Sequence, residues 1–373
     1  AMAYRAGIPL KDMEFIQYHP TGLPGTGILI TEAARGEGGI LVNKDGYRYL
    51  QDYDLGMPLD IKDSGHPVKK SMELGPRDRL SQAFIKEREQ EKTIPGPFGD
   101  VVHLDIRHLG RKKIDKKLPF VRELAKNYAG IDPVYEPIPV RPVVHYMMGG
   151  IDTNIDCSTI LPGLFAAGEC ACVSINGANR LGSNSLPESL VDRYRAEPEA
   201  AVYADKHSEH KLEALEKQGA DEYKRITRDF LQKDGGSERI ATLRKEMHQV
   251  MEQSVDIFRS ESGLKEACNK IEELKDRFSS ILIEDKSLNF NTELTSALEL
   301  ENMIDVAESI IFSALSRRES RGSHQRTDFV NRDDENFLRH SLAYRTEAES
   351  RIEYQDVVIT KWPPAERIYG KEE

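Results

Sequence analysis

The stretch that decides the fold is TEAARGEGG (Thr31–Gly39), which follows YHPTG (Tyr18–Gly22) and precedes ELGPRD (Glu73–Asp78). These segments bring histidine, threonine, glutamate and arginine together with glycines. Side chains of these types suit an anionic ligand, because arginine holds a carboxylate through two parallel hydrogen bonds. Glycines let the backbone approach a flat group closely. The pattern therefore indicates a binding site.

A second set of segments has the same character, although it lies far away in the chain. It consists of RPVVHYMMGGI (Arg141–Ile151), GLFAAGE (Gly163–Glu169) and GANRLGSNSL (Gly177–Leu186). Read with the first set, it supplies two histidines, three arginines and a Thr-Glu pair, which suit a substrate with two carboxylates. We expect the two sets to form two walls of one pocket. No dinucleotide-binding fingerprint accompanies them.

The composition limits the class of protein. The chain has 373 residues, 39% apolar and 31% charged, and a formal net charge of −11. This length suits two or three domains with their own cores. The acidic balance argues against nucleic acid as a partner, since phosphate binding needs a basic surface. A pocket on an acidic protein can still concentrate arginine and histidine.

No apolar run reaches the ~18 residues that cross a membrane, and the first residues do not resemble a signal peptide. We therefore expect membrane association only through a partner. The four cysteines (Cys157, Cys170, Cys172 and Cys268) show no disulfide framework and indicate a reduced compartment. Cys170 and Cys172 could be a metal pair, but no second pair supports them, so we expect no metal site.

Local patterns predict an α+β protein with a loop-rich segment from Thr21 to about Arg141 and a helical segment from about 205 to 320. MEFIQYHP is typical of a strand that ends at Pro20, and GLFAAGE of a short buried strand. A helix is expected from near Pro76, and another after Pro187, with Ser185 as its cap. The C-terminal stretch RIEYQDVVITKWPPAERIYG resembles a strand pair followed by an extended tail.

Helical periodicity is clearest late in the chain. Residues at spacings of three and four form one apolar face between Leu264 and Phe278, and Leu294 to Leu315 forms a second long amphipathic helix. Antiparallel packing of these helices is the expected arrangement, and it implies no cofactor.

Individual candidate residues are ambiguous. A lone histidine such as His19 or His145 is more often a structural hydrogen-bonding group than a ligand-binding one. Arg180 could be a solvated loop residue. Glu32 and Arg35 lie three apart and could pair on a helical turn, usually as a surface salt bridge. Near a buried arginine, the same pair could relay a proton.

In combination these segments, with SRRESRGSHQR (Ser316–Arg326), are specific. Their order resembles the flavoprotein subunits of fumarate reductase and succinate dehydrogenase over nearly the whole chain, and YHPTGLPGTGIL is closer to the fumarate reductase branch. The resemblance implies five segments: a remnant of the FAD-binding domain (1–19), a capping domain (20–143), a returning part of the FAD-binding α/β domain (144–204), an antiparallel helical domain (205–320) and a small C-terminal domain (321–373).

The resemblance also implies roles for residues. It implies catalytic Arg77, Glu32 and Arg35, substrate-binding His19, Thr31, His145 and Arg180, and FAD-contacting Glu169, Ser185 and Leu186. Fumarate and succinate would be the substrates. An iron–sulfur subunit would exchange electrons with quinone, and membrane-anchor subunits would hold the complex at the cytoplasmic side of the inner membrane.

Two departures from the family pattern stand out. The glycine-rich loop for the FAD pyrophosphate and the flavin-linking histidine are missing, so we expect a C-terminal portion of such a subunit. After Ser185, the polar Ser189, Asp192 and Arg193 replace an expected apolar face, which suits a surface exposed to water. Pro198 is expected to break or kink this helix.

Two rival functions remain open at this point. L-aspartate oxidase shares the HPT, RGEG and SNSL segments, although the Arg-Leu-Gly-Ser run (180–183) favours the fumarate and succinate group. Alternatively, the chain is a non-catalytic module that docks an iron–sulfur subunit through SRGSHQR (Ser320–Arg326) and the C-terminal domain.

Overall fold

The computed structural model describes residues 1–55, 72–207, 212–347 and 349–364. The chain forms two compact units. Unit 1 comprises Ala1–Ile16 and Met147–Val357, and unit 2 comprises Gln17–Tyr146 with the chain end from Val358. Parts of the predicted capping, helical and C-terminal domains (56–71, 208–211, 348 and 365–373) lie outside the described residues.

Helices and strands are both well represented, which confirms the predicted α+β class. In the described ranges the α-helices are α1 (Met2–Arg5), α2 (Glu32–Gly36), α3 (Arg77–Glu89), α4 (Gly110–Lys117), α5 (Pro119–Leu124), α6 (Ser185–Lys206), α7 (Leu212–Ile226), α8 (Ile240–Ser254), α9 (Glu261–Phe278), α10 (Thr292–Ser316) and α11 (Asp334–Phe337). The strands in the same ranges are β1 (Leu10–Lys11), β2 (Ile16–Gly22), β3 (Ile40–Val42), β4 (Val102–Asp105), β5 (Ile138–Met147), β6 (Gly150–Asp152), β7 (Ala171–Cys172), β8 (Phe258–Arg259), β9 (Gln325–Arg326), β10 (Arg339–Tyr344) and β11 (Arg351–Asp356).

Unit 1 combines a mixed sheet with a helical layer. Among its described residues, the sheet has the strand order β11-β10-β1-β6-β7, antiparallel except for the parallel pair β6–β7. Helices α8, α9 and α10 pack against one another through apolar faces such as Leu264, Ile271 and Leu274 on α9. The apolar face predicted for this helix is confirmed.

Unit 2 contains a sheet whose order, over the part of the chain described, is β2-β5-β4-β3. The expectation that the first strand ends at Pro20 is wrong, because β2 continues to Gly22. Proline is tolerated there because β2 is an edge strand, where a missing N–H breaks no ladder on the outer side. The strand predicted for GLFAAGE is also wrong. Only Phe165 forms an isolated bridge, and Gly168–Cys170 is a 3₁₀ turn.

Helix α6 differs from the expectation in three ways. It starts at Ser185, with Asn184 rather than Ser185 in the cap position, and it continues through Pro198 without ending. Asp192 is buried, and its carboxylate accepts a hydrogen bond from the Gly168 amide at 3.2 Å. Its polarity therefore serves an internal contact rather than a water-exposed surface.

The exposed face of α6 is mixed. Ser189 and Arg193 are exposed, as expected, but Leu186, Leu190 and Tyr194 are also largely exposed. The prediction of a polar face is therefore only partly right. The strand pair expected within the C-terminal stretch is also wrong for residues 351–364, the part that the structure describes: β11 is the strand there, and it pairs with the earlier β10.

SRRESRGSHQR is an internal structural element. Arg317 and Glu14 form an ion pair in which both side chains are fully buried, and Arg317 also binds Glu319 at 2.9 Å. Ser341 donates from its hydroxyl to Glu14 at 2.6 Å, and Arg259 donates to the Glu14 carbonyl at 2.7 Å. These bonds join the segment after β1 to the residue that follows α10 and to β10.

We predict that Arg317→Met lowers the free energy of unfolding by about 3–5 kcal/mol, because it leaves the Glu14 carboxylate buried without its cation. Urea denaturation of the chain, followed by circular dichroism, measures the change. Arg318→Met is the matched control, since the neighbouring Arg318 is exposed, and we expect a change within ~0.5 kcal/mol. Equal losses in both variants would contradict the importance of the pair.

A second prediction concerns Pro198, which lies exposed inside α6. Proline in a helix interior lacks the N–H donor and costs roughly 3 kcal/mol. Pro198→Ala is therefore expected to raise the melting temperature, whereas Glu199→Ala, at the next exposed position, is expected to leave it nearly unchanged. A lower melting temperature for Pro198→Ala would show that the ring is required where it lies.

Candidate active site

The two predicted histidines lie together in unit 2. His19 is fully buried on β2, His145 lies on β5, and their ring centroids are 5.3 Å apart with an edge-on geometry. The two distant sequence segments meet here because β2 and β5 are neighbours in the sheet.

The protonation of His19 follows from its neighbour. The Thr21 backbone amide lies 3.3 Å from Nδ1 of His19, and this amide can only donate. Nδ1 is therefore the acceptor, and Nε2 carries the proton of the neutral ring. This arrangement provides an N–H donor that suits a carboxylate.

Thr31 and Glu32 are positioned by the start of α2. Thr31 is the N-cap residue, and its hydroxyl oxygen accepts from the Ala33 amide at 3.0 Å. Glu32 occupies the first turn, and one of its carboxylate oxygens accepts from Arg77 at 3.1 and 3.3 Å. The same oxygen lies 3.9 Å from an Nη2 atom of Arg35. The glutamate therefore lies between two arginines.

The two arginines differ in their surroundings. The Arg77 side chain, at the start of α3, is partly exposed, and it donates to Oε1 of Gln17 at 3.3 Å. The Arg35 side chain is fully buried. Burial, and secondarily the nearby Arg77 cation, lowers the pKa of Arg35 to about 10, although Glu32 acts in the opposite direction.

Behind Arg35 lies a pair that the sequence analysis missed. The buried Glu73 carboxylate binds Arg48 through two contacts, 2.7 Å from Nε and 2.6 Å from Nη2. Arg35 donates to the Glu73 backbone carbonyl. Gln17 was also missed, although it lies two positions before His19 on the same face of a strand, a spacing that could have identified it.

The remaining predicted site residues belong to unit 1. Arg180 is buried, and it donates to the Ser185 hydroxyl at 3.2 Å. Ser185 and Leu186 are the first residues of α6. Glu169 lies on the 3₁₀ turn Gly168–Cys170, and its carboxylate accepts from the Met147 amide at 3.3 Å.

The loop that carries Arg180 is fixed by the SRGSHQR segment. The Ser323 amide and hydroxyl both donate to the Ala178 carbonyl, at 2.9 and 3.1 Å. Gly322 has φ +57°, and a Cβ atom there would lie 2.3 Å from the Ala178 carbonyl oxygen. This close approach needs glycine.

In the ranges described, His, Cys, Asp and Glu side chains do not gather in threes as metal ligands would, and the four cysteines are free thiols. Over the same ranges, each helix is too short or too polar to cross a lipid bilayer.

Comparisons with known proteins agree with this architecture. A family model described as an FAD binding domain matches residues 1–186, and one described as the fumarate reductase flavoprotein C-terminus matches residues 244–369. The fumarate reductase flavoprotein subunit of Mycobacterium tuberculosis is 57% identical over all of this chain and 64% of its own length. The chain thus spans less than two thirds of the length of these curated relatives.

Solved structures of fumarate reductase and succinate dehydrogenase chains are also similar to this chain. A variant of FrdA from Escherichia coli quinol fumarate reductase aligns with a TM-score of 0.93 at 51% identity, covering all of this chain and 63% of FrdA. Sdh1 of Mycobacterium smegmatis, in complex with UQ1, aligns with a TM-score of 0.77 at 32% identity, over 96% of this chain and 57% of its own. The chain belongs to the family of fumarate reductase and succinate dehydrogenase flavoprotein subunits.

Proposed function

We propose that this chain carries the substrate chemistry of an FAD-dependent enzyme that interconverts fumarate and succinate. The observation that supports this most directly is the Glu32 carboxylate between Arg77 and the buried Arg35. This arrangement can move a proton from solvent to a substrate. The adjoining His19 and His145 rings suit a carboxylate.

Carboxylate binding is assigned to four residues. In unit 2, His19 donates from Nε2, and Thr31 and His145 complete the set of polar groups. In unit 1, Arg180 has the same role, with its guanidinium oriented by Ser185. Fixing both carboxylates of the substrate orients the alkene and removes orientational entropy from the barrier. The arginine and histidine N–H groups also stabilise charge that develops on the carboxylate in the transition state.

Proton transfer is assigned to Arg77. It donates a proton from a guanidinium nitrogen to one alkene carbon of fumarate, and the neutral guanidine regains a proton through Glu32 and then Arg35. An arginine is a weak acid, with an ordinary pKa above ~12. It can act here only if its proton is replaced at once, which explains the contact of Glu32 with both arginines. In succinate oxidation the same steps run in reverse.

The residues of unit 1 fit an FAD molecule. Asn184 makes no side-chain capping bond, so the first amides of α6, at Ser185 and Leu186, can donate to an acceptor on the cofactor. Leu186 is largely exposed beside them and offers an apolar surface for a flat ring, and Glu169 is exposed on the adjacent 3₁₀ turn. When bound, reduced FAD supplies a hydride equivalent to the second alkene carbon.

The domain roles and partners are proposed by analogy with the family. Residues 20–143, which belong to unit 2, are proposed as the capping domain, with 1–19 and 144–204 as parts of the FAD-binding domain, 205–320 as the helical domain and 321–373 as the C-terminal domain. An iron–sulfur subunit is proposed to exchange electrons with quinone. Membrane-anchor subunits would hold the assembly at the cytoplasmic side of the inner membrane.

The test uses the FAD-loaded flavoprotein that contains this sequence, with reduced viologen as electron donor and fumarate as substrate. We expect Arg77→Gln to lower kcat by about 10²–10⁴, because the proton donor is lost, while fumarate binding by calorimetry changes only severalfold. Arg79→Gln is the matched control, since Arg79 lies exposed on the same helix, and it is expected to keep kcat within twofold.

Two results would contradict this function. One is a wild-type protein that binds FAD but does not reduce fumarate or oxidise succinate, and the other is preferential oxidation of L-aspartate. A protein that does not bind FAD but binds an iron–sulfur subunit would instead support the docking module.

A further inference from the structure

The Glu73–Arg48 pair has a geometry that bears on the proton path. The Glu73 side chain is fully buried, on the 3₁₀ turn Met72–Leu74, and both of its oxygens are bound by Arg48. One oxygen also lies 3.4 Å from the Leu41 amide. The negative charge of Glu73 is therefore largely neutralised by Arg48.

Arg35 contacts the same glutamate, but only through its backbone. One guanidinium nitrogen donates to the Glu73 carbonyl oxygen. The Nε and Nη2 atoms of Arg35 are buried and have no hydrogen-bond acceptor in the part of the chain that the structure describes. The closest ion pair of Arg35 there is with Glu32, at 3.9 Å.

The Glu32 carboxylate neutralises the positive charge of Arg35 only weakly. Glu32 is 46% exposed, so water screens it, and it is shared with Arg77 at a shorter distance of 3.1 Å. The charged and titratable groups that act on Arg35 from the surrounding elements are Glu32, Arg77, Glu73 and the buried Tyr49. Burial and the Arg77 cation disfavour the charged form of Arg35, and Glu73 is the one buried carboxylate among these groups that could offset them.

We propose that Arg48 is a positioning residue for the proton path: by binding Glu73 through two contacts, it withholds that carboxylate from Arg35 and leaves the buried guanidinium without a counter-ion of its own among the described residues. This inference rests on the proposed function, because it assigns a role within the same proton transfer. The consequence is that Arg35 gives up a proton more readily than an ordinary arginine, in agreement with its lowered pKa.

Removing Arg48 should reverse this effect. In Arg48→Met the Glu73 carboxylate loses its cation, and Arg35, already bound to the Glu73 backbone, becomes the adjacent positive partner. A full negative charge beside Arg35 raises its pKa, and each unit reduces its acidity tenfold. The expected result is a kcat for fumarate reduction about three- to tenfold lower, with a larger solvent deuterium isotope effect on kcat and a KM within twofold of wild type.

The decisive variant is the double substitution Arg48→Met with Glu73→Gln. It removes the carboxylate together with its cation, so Arg35 again lacks a counter-ion, and we expect kcat and the isotope effect to recover to within twofold of wild type. A merely structural role of the salt bridge would not give this recovery, because the double variant lacks the bridge as well. Arg111→Met, which removes an exposed cation on α4, is the control and should change neither quantity.

All measurements use the assembled, FAD-loaded protein, and melting temperatures report on folding. If Arg48→Met does not fold, Arg48→Lys keeps a charge but cannot make both contacts, and it should lower kcat in the same direction by less. An unchanged kcat and isotope effect in both single variants, or a loss in Arg48→Met that Glu73→Gln does not restore, overturns the inference. A wild-type protein without fumarate reduction would instead refute the proposed function.

Discussion

The ion pair between Arg317 and Glu14 is the constraint on which unit 1 depends. Both side chains are fully buried, and Glu319, Ser341 and the backbone carbonyls of residues 337 and 339 satisfy their remaining hydrogen-bonding groups. Burial alone would lower the pKa of Arg317, but the Glu14 carboxylate raises it overall. Such a pair is stable only when all its groups are satisfied. It therefore fixes the N-terminal segment against the end of α10 and against β10.

The buried charged residues of unit 2 are paired differently. Glu73 is matched by Arg48 as completely as Glu14 is matched by Arg317, but the buried Arg35 beside it shares the exposed Glu32 with Arg77. An under-compensated buried cation costs stability, so structural packing alone does not favour it. Proteins keep such groups where a shifted pKa is useful. The contrast between these two arginines is the basis on which a structural role is proposed for Arg317 and a functional one for Arg35.

The sequence predicted the local segments better than their connections. His19 and His145 were proposed from the resemblance of their segments to a known family, and their rings lie 5.3 Å apart. The apolar face of α9 followed from spacing. By contrast, the bond between Asp192 and the Gly168 amide and the pair Glu73–Arg48 join elements that are distant in sequence, and no local pattern encodes such partners. Pro198 shows a second limit: the low helix preference of proline predicts that α6 ends or kinks there, yet the helix continues to Lys206.

Arg77, Glu32 and Arg35 differ in how far they are exposed to solvent, and this difference bears on the proposed proton path. Water beside the buried Arg35 would stabilise its charged form and weaken it as an acid. Glu32, at 46% exposed, is the group that meets solvent, whereas the Arg35 side chain is fully excluded. In the proposed path Glu32 passes a proton to Arg77, and the buried Arg35 is the reserve that restores the proton of Glu32. Arg35 can release its proton only if no buried carboxylate beside it stabilises its charged form. The bond between Arg48 and Glu73 meets this condition, because Arg48 neutralises the Glu73 carboxylate.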